Sequence, residues 1–143
     1  PFALVDNGLR WHIRAFDRRR SRFTDFVITR ITNPSLLSDE PIDDQELQQE
    51  DIQWNRIVEL EIVAHPKLKH KETIEADYGM TNNVLEINIR AAVAGYLLRR
   101  WNVDCTAEAV LQGAEYHLWL KNRQALYGAN NLVLAPGFEQ DPL

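Results

Sequence analysis

Two short stretches near the start of the chain alternate between polar and apolar residues, a pattern that is typical of β-strands. They span residues 10–16 and 23–31. Successive side chains of a strand point to opposite faces, so one face of the first stretch carries Arg10, His12, Arg14 and Phe16. The opposite face carries Trp11, Ile13 and Ala15. Because this second set suits burial, we expect it to face the interior, with Trp11 as a core residue.

In the second stretch, Arg30 shares its predicted face with three less polar residues, Ile28, Phe26 and Thr24. An antiparallel pairing of the two strands would bring His12, Arg14 and Arg30 together beside aromatic rings. Cations and hydrogen-bond donors beside flat rings suit an anionic ligand that also has bases to stack. The pattern therefore predicts one common pocket that the guanidinium groups of Arg14 and Arg30 both face.

The rest of the chain is predicted to contain an acidic linker followed by two strand–helix units. Residues 35–54 show no sustained periodicity and are taken as the linker. The elements predicted after it are a strand at 57–64, a helix from His65-Pro66 to about Asp77, a strand at 84–90, a helix at 91–101 and a strand at 115–121. Proline is tolerated in the first turn of a helix, and Gly79 is a natural terminator. Two such units in succession favour an open α/β sandwich.

The charge of the chain is distributed unevenly. Residues 1–34 contain seven Arg, no Lys and three Asp, whereas residues 35–54 contain seven acidic residues and no basic one. A protein that grips duplex DNA over a wide face usually shows a more general basic excess, and this chain has a net charge of -5. Positive charge that is local and entirely arginine favours planar recognition of phosphate or carboxylate. We therefore expect a pocket or a narrow groove.

The length and composition indicate a globular protein. A chain of 143 residues with 45% hydrophobic content has room for one domain or two small ones. Its longest apolar run, residues 91–98, is too short to cross a bilayer. The single Cys105 cannot form an internal disulfide, and no signal peptide is visible, so we expect a cytoplasmic protein without membrane contact. The chain begins with Pro1 rather than Met, which indicates a fragment or a processed product.

Several strings of residues resemble the WYL-domain transcriptional regulators of bacteria. Trp11-His12-Ile13, within the string GLRWHIRAF of residues 8–16, stands where this family has its Trp-Tyr-Leu-type strand, and RFTDFVITRI of residues 22–31 is similar to the next strand. The second half is similar to the C-terminal extension of these proteins, through Ile57, His65-Pro66, Asp77-Tyr78-Gly79-Met80 and Tyr96-Leu97-Leu98-Arg99-Arg100. The WHIRAF variant looks closest to the repressors that sit beside phage-defence gene clusters.

The resemblance implies an α+β protein in three parts. Residues 1–34 would form part of an Sm-like small β-barrel that is truncated at its start. Residues 35–54 would form the acidic linker, and residues 55–143 a compact α/β extension that dimerises. In this family a winged helix-turn-helix usually binds the duplex operator; neither it nor the opening strands of the barrel is seen in this sequence.

The family also implies a ligand and the residues that bind it. The barrel would sense a single-stranded nucleic acid or a nucleotide, and the residues carried over to that surface are Trp11, His12, Arg14 and Arg30. Ligand binding would bias the geometry of a homodimer and thereby change operator affinity. For this dimer the candidate anchors are Tyr96, Trp101 and Trp119, because aromatic residues are enriched at interface centres.

Alternative interpretations stay open for the site residues. Arg14 and Arg30 could instead form ion pairs with Asp25 or with an acidic residue of the 39–51 run. That run could be a solvated linker, or it could mimic phosphate and cover the basic pocket until a ligand displaces it.

Alternative functions stay open as well. The chain could be a dimerisation module that senses no ligand, or an Sm-like RNA-binding protein. The sequence shows no glycine-rich phosphate loop, no nucleophilic triad and no Cys/His cluster, so we expect no enzyme activity, no metal and no cofactor.

Overall fold

The N-terminal part of the protein is an open antiparallel sheet of three strands. The computed structural model describes residues 1–139, and its first sheet consists of β1 (Ala3–Asp6), β2 (Trp11–Asp17) and β3 (Arg22–Val27) in the order β1-β2-β3. Both pairs are antiparallel. Among residues 1–139 these strands do not close into a barrel, so the predicted Sm-like barrel is not confirmed by this part of the chain.

The turn between β1 and β2 follows from its residue types. The side-chain oxygen of Asn7 accepts hydrogen bonds from the backbone N–H groups of Leu9 and Arg10, both at 2.9 Å. Gly8 adopts a φ of +86°, which glycine tolerates and most other residues do not. Asn7 and Gly8 therefore make a tight hairpin connection, as expected for this dipeptide.

The segment between the two sheets contains short turns rather than extended regular structure. Three 3-10 turns cover Ile28–Arg30, Asp44–Glu46 and Gln48–Glu50, and a single helical turn, α1, covers Ile52–Asn55. Asp51 begins α1 as its N-cap, since its carboxylate accepts the backbone N–H of Trp54 at 3.1 Å. The segment thus ends in a fixed turn that leads directly into the second sheet.

The C-terminal part is a four-stranded mixed sheet covered on one face. Its elements are β4 (Ile57–Ala64), α2 (Lys71–Asp77), β5 (Leu85–Arg90), α3 (Ala91–Arg100), β6 (Val103–Asp104) and β7 (Leu118–Leu120). The strand order is β5-β4-β7-β6, with β4 antiparallel to both neighbours and β6 parallel to β7. Two further 3-10 turns follow, Arg123–Leu126 and Leu132–Leu134.

The core of the second part lies on one face of this sheet. Along β4, Val58, Leu60 and Ile62 are buried, whereas Ile57 on the opposite face is 52% exposed. Leu98 of α3 belongs to the same buried cluster. Burial of one such aliphatic side chain stabilises the fold by about 1.5–3 kcal/mol, so this layer is the main apolar source of stability in the protein.

Most of the predicted elements of the second part are confirmed, with differences at their ends. The strand at 57–64 is confirmed in full, and the predicted helix at 91–101 is observed as α3. The predicted start of a helix at His65-Pro66 is wrong, because α2 begins only at Lys71. His65 is instead buried and hydrogen-bonded to Asp104. The strand predicted at 115–121 is shorter than expected.

None of the helices in the part of the chain that the structure describes has the length and apolar character needed to span a membrane.

Candidate ligand-binding site

The polar face of β2 is buried against the C-terminal part, and Arg14 lies at its centre. The Nε and Nη2 atoms of Arg14 donate to the two carboxylate oxygens of Asp51 at 2.8 and 3.0 Å. Its Nη1 atom donates to Asp25 at 3.2 Å. All three side chains are nearly inaccessible, with exposed fractions of 2% for Arg14, 4% for Asp25 and 2% for Asp51. The guanidinium is thus already held by protein carboxylates.

This arrangement has a clear effect on the protonation of Arg14. Burial lowers the pKa of Arg14, but the hydrogen bonds and charges of Asp51 and Asp25 more than offset burial, so the pKa lies above its ordinary value. Arg14 is therefore a permanent cation. The geometry matches the alternative in which Arg14 pairs with Asp25 and with an acidic residue of the 39–51 run.

Tyr96 of α3 connects this ion cluster to His12. Its hydroxyl donates to the second carboxylate oxygen of Asp25 at 2.7 Å. Its ring stacks on that of His12, with ring centroids 5.4 Å apart and planes 25° apart. Burial and the hydrogen bond to Asp25 raise the pKa of Tyr96 above its ordinary value. Tyr96 consequently remains a neutral donor that ties the N-terminal sheet to the C-terminal part.

His12 is 5% exposed. Within the described residues, its Nδ1 atom is buried and has no hydrogen-bond partner. Buried polar atoms are nearly always hydrogen-bonded, so the unpartnered Nδ1 atom of His12 is an exception in this structure.

An open cleft of about 410 Å³ lies beside His12 and Tyr96. It is lined by the turn between β1 and β2 and by the C-terminal end of α3, and it includes Arg10, Arg99 and Arg100. All three arginines are exposed, and none forms an ion pair with another residue of the range 1–139. The cleft therefore combines unneutralised positive charge with two adjoining rings.

Trp11 does not lie in the core, and the prediction that it does is wrong. Its side chain is 53% exposed, whereas His12 and Arg14, on the opposite face of β2, are buried. The alternation of the strand is as predicted, but the interior lies on the other side. The reason is that Asp51 and Asp25 neutralise Arg14 in the junction, so the face that carries the charge can be buried.

The predicted placement of Arg30 on the second strand is also wrong. Strand β3 ends at Val27, and Arg30 belongs to the exposed 3-10 turn Ile28–Arg30 that follows it. The ladder between β2 and β3 reaches no further than the pair His12 and Val27. The structure therefore does not bring Arg14 and Arg30 together through a shared strand face, and the buried Arg14 does not point into a common open pocket.

The acidic segment contacts the basic hairpin at two places. Arg18 donates to Glu40 and Glu46, at 2.6 Å in each case, and Asp51 binds Arg14 as described above. The bond to Arg18 lowers the pKa of Glu46. Residues 31–45 are nevertheless exposed throughout. Most of the segment is thus solvated, and its carboxylates form ion pairs with two arginines of the first hairpin.

The sequence alone did not point to Arg99 and Arg100 as site residues. The one signal that could have found them is the helical spacing of Tyr96 and Arg100, which places both near one side of α3. What the sequence could not show is that this side of α3 meets β2.

A second buried polar pair lies away from the cleft. Nε2 of His65 lies 3.0 Å from Asp104, which also accepts hydrogen bonds from Thr106 and from the backbone of Leu111. Burial acts to raise the pKa of Asp104, but these hydrogen bonds outweigh it and hold the pKa below its usual range. Among residues 1–139 no group of three or more His, Cys, Asp or Glu side chains is arranged to hold a metal ion.

Part of the second half of the chain matches a family model. Residues 57–126 match the family model described as "BrxR transcriptional regulator, C-terminal dimerization domain". This range begins with the first residue of β4 and ends with the 3-10 turn Arg123–Leu126. It therefore contains the whole four-stranded sheet together with α2 and α3.

Individual relatives extend the similarity to most of the chain. Over 129 residues the chain is 32% identical to the DNA-binding transcriptional repressor CapW of Escherichia coli (strain KTE188), which covers 89% of this chain. The chain is homologous to the CapW repressors. It is 33% identical to those of Pseudomonas aeruginosa and Stenotrophomonas maltophilia, with 88% and 87% of this chain covered.

The chain spans about two fifths of the length of these curated relatives, with 42% of the first and 41% of the other two covered. The names of the relatives describe DNA-binding repressors and not enzymes.

Proposed function

We propose that this chain is the dimerisation and ligand-sensing region of a bacterial transcriptional repressor that acts in phage defence. The observation that carries the proposal is the extent of the homology to CapW. The match covers 89% of the chain, so the residues outside it are too few to contain either sheet. The N-terminal sheet and the dimerization domain thus both belong to the shared region.

The N-terminal sheet has an outer face that suits completion by further strands. Leu4, Trp11 and Phe26 lie on that face and are 65%, 53% and 37% exposed, and β1 and β3 are open edges among residues 1–139. Open apolar edges are normally paired or covered. We propose that strands outside this chain close the sheet into the Sm-like barrel that the WYL resemblance implies.

The proposed homodimer forms through the region after Ile57. All three aromatic residues expected as its anchors have partners within the chain. Tyr96 donates to Asp25, Trp101 packs against Tyr78, and the indole N–H of Trp119 donates to the carbonyl of Thr106. The anchors of the dimer are therefore expected on the open face of the four-stranded sheet, where Ile57 is 52% exposed.

Sedimentation of the chain tests the dimer directly. We expect a homodimer at tens of micromolar, the concentration range of weak interfaces. Ile57→Asp should shift the chain towards monomer, because it places a charge in an apolar contact. Leu36→Asp is the matched control, since Leu36 is 94% exposed in the acidic segment. A wild-type monomer at these concentrations would contradict the proposed dimer.

The proposed effector is a single-stranded nucleic acid or a nucleotide, bound near His12. Arg14 positions the binding face through Asp25 and Tyr96, while Trp11 and Arg30 are exposed candidates for contact with a longer strand. Effector binding would bias the geometry of the dimer by no more than its differential affinity for two arrangements. Operator binding would be carried out by a winged helix-turn-helix outside this chain.

Titration of labelled single-stranded and double-stranded oligonucleotides at two salt concentrations tests the effector. We expect preference for the single strand and a weak salt dependence, because few phosphates are neutralised. Tight, sequence-specific duplex binding by this chain would contradict the assignment.

A dimerisation module without an effector is the second candidate. It is favoured by the engagement of Arg14 with Asp25 and Asp51, and absence of binding to every oligonucleotide would support it.

A further inference from the structure

The cleft beside His12 receives arginines from both parts of the protein. Arg10 follows the turn between β1 and β2, whereas Arg99 and Arg100 form the last turn of α3. None of them is paired with an acidic residue in the range 1–139. The nearby Asp6 accepts the backbone N–H of Gly8 at 2.8 Å and forms no ion pair with these arginines within the described residues. The cleft thus contains three arginines without a direct acidic partner in the range 1–139.

Neutralisation of the helix dipole accounts for only part of this cluster. Basic residues in the last turn of a helix interact favourably with its negative end, which explains Arg99 and Arg100. It does not explain Arg10, which belongs to the other sheet. Nor does it explain the buried Nδ1 atom of His12, which has no partner among the described residues. An anion in the cleft would contact the three arginines together and would lie beside the ring of His12.

The size and lining of the cleft indicate the chemical class of that anion. A volume of about 410 Å³ falls within the range of about 300–1,000 Å³ that is common for small-molecule sites. Guanidinium groups match the oxygens of phosphate in planar, bidentate geometry. The ring of Tyr96 also lines the cleft, and an aromatic surface next to cations suits a ligand that carries a base.

We propose that this cleft binds the phosphate group of a nucleotide, and that Arg99 and Arg100 of the dimerization domain hold it together with Arg10. The inference rests on the proposed effector function. It adds where the effector binds and which chemical group of the effector is recognised. Since the ligand would bridge the N-terminal sheet and α3, it would fix the position of one part relative to the other. The residues that bind it therefore lie partly outside the strand pair that the sequence singled out.

Isothermal titration of the complete chain with chemically matched probes tests this site. The probes are adenosine 5′-monophosphate, adenosine, inorganic phosphate, and a short oligothymidylate with and without a 5′-phosphate. We expect adenosine to bind at least tenfold more weakly than its monophosphate, because it lacks the charged acceptor. The two oligothymidylates distinguish a strand end from an internal phosphate, and the monophosphate reports on a free nucleotide.

Charge-removing variants assign the site to its residues. Arg99→Gln and Arg100→Gln, singly and together, should weaken binding of whichever phosphate probe binds by about tenfold or more. Arg20→Gln is the matched control, because Arg20 is an exposed arginine of the hairpin loop, and it should leave affinity within about twofold. Thermal unfolding midpoints near that of the wild type would show that the variants fold.

The possible outcomes separate this inference from the proposed function. Loss of binding in the α3 variants but not in Arg20→Gln supports the site. Undiminished oligothymidylate binding by the α3 variants overturns the site while leaving the effector function intact. If no probe binds to the wild-type chain, both are overturned. If Arg99→Gln and Arg100→Gln change only the unfolding midpoint, the arginines serve the helix end alone and the site is likewise overturned.

Discussion

The interior of the C-terminal part and the junction beneath the N-terminal sheet are both inaccessible to solvent, but their contents differ. The first contains aliphatic side chains such as Leu60 and Leu98, each no more than 1% exposed. The second contains Arg14 and Asp51, each no more than 2% exposed and both joined in one ion cluster with Asp25. Apolar packing loses stability in proportion to the atoms removed. A buried ion cluster depends on every member, because a partner left alone is an uncompensated charge.

The largest effect is expected from breaking the ion cluster. Asp51→Ala leaves Arg14 with one carboxylate and removes the N-cap of α1. Loss of one partner of a buried pair costs about 3–5 kcal/mol in the free energy of unfolding. Chemical denaturation followed by tryptophan fluorescence measures this change.

The matched control for that variant is Asp39→Ala, an exposed acidic residue of the same segment, which should change stability by less than about 0.5 kcal/mol. Similar, small effects of both substitutions would show that the junction is not held by the ion cluster.

A somewhat smaller effect is expected in the apolar layer. Leu98→Ala removes a fully buried side chain from α3 and should cost about 3 kcal/mol, within the range for cavity-forming substitutions. Leu36→Ala, at a position that is 94% exposed, should be nearly neutral. A larger loss in the free energy of unfolding for Leu98→Ala than for Asp51→Ala would contradict this comparison. It would show that the ionic junction tolerates substitution better than the apolar layer does.

The buried and hydrogen-bonded Asp104 makes a contribution to the stability of the C-terminal part that depends on pH. Because the pKa of Asp104 is held below its usual range, its ionised form stabilises the fold at neutral pH. This contribution begins to fall below about pH 4, the ordinary pKa of an Asp side chain in the unfolded chain. It is lost as the pH falls further, through the lowered pKa of Asp104 in the folded state.

Asp104→Asn should therefore be less stable than the wild type at pH 7, by about 1–3 kcal/mol. The difference should narrow as the pH falls below about 4. Urea denaturation across this range measures it, and a constant difference at every pH would contradict the role of the ionised carboxylate.

The smallest effect on global stability is expected for the exposed ion pairs of the acidic segment. Arg18 binds Glu40 and Glu46 with its own side chain 44% exposed, and exposed pairs contribute little. Arg18→Ala should leave the unfolding midpoint nearly unchanged but increase the rate of limited proteolysis within residues 31–50. Arg19→Ala, an exposed neighbour in the same loop, is the control. Equal proteolysis of both variants would show that Arg18 does not fasten the segment.

Local patterns in the sequence were enough to predict several secondary-structure elements. The alternation at 57–64 predicted β4 in full, and the apolar spacing at 91–101 predicted α3 to within one residue of its end. The turn at Asn7-Gly8 likewise depends on local residue types, since Gly8 adopts a positive φ. The expected resemblance to bacterial transcriptional repressors agrees with the homology to the CapW repressors.

The choice of which face of β2 is buried depends on long-range packing. A strand pattern defines two faces, but it does not say which face meets a partner, and the apolar face is the usual choice. Asp51 lies 37 residues from Arg14 in the sequence and neutralises its charge. Tyr96, in α3, anchors the same face through its hydrogen bond to Asp25. The side chain of Trp11, on the opposite face of β2, is consequently exposed.

The candidate site was likewise only half determined by the sequence. His12 was predicted, because its strand and its polar neighbours are local features. Arg99 and Arg100 were not, because they reach the cleft only when α3 packs against β2 and the turn at Gly8. Spacing along the chain determines which side chains share a face of one element, whereas the joining of two faces depends on long-range contacts that no local pattern contains.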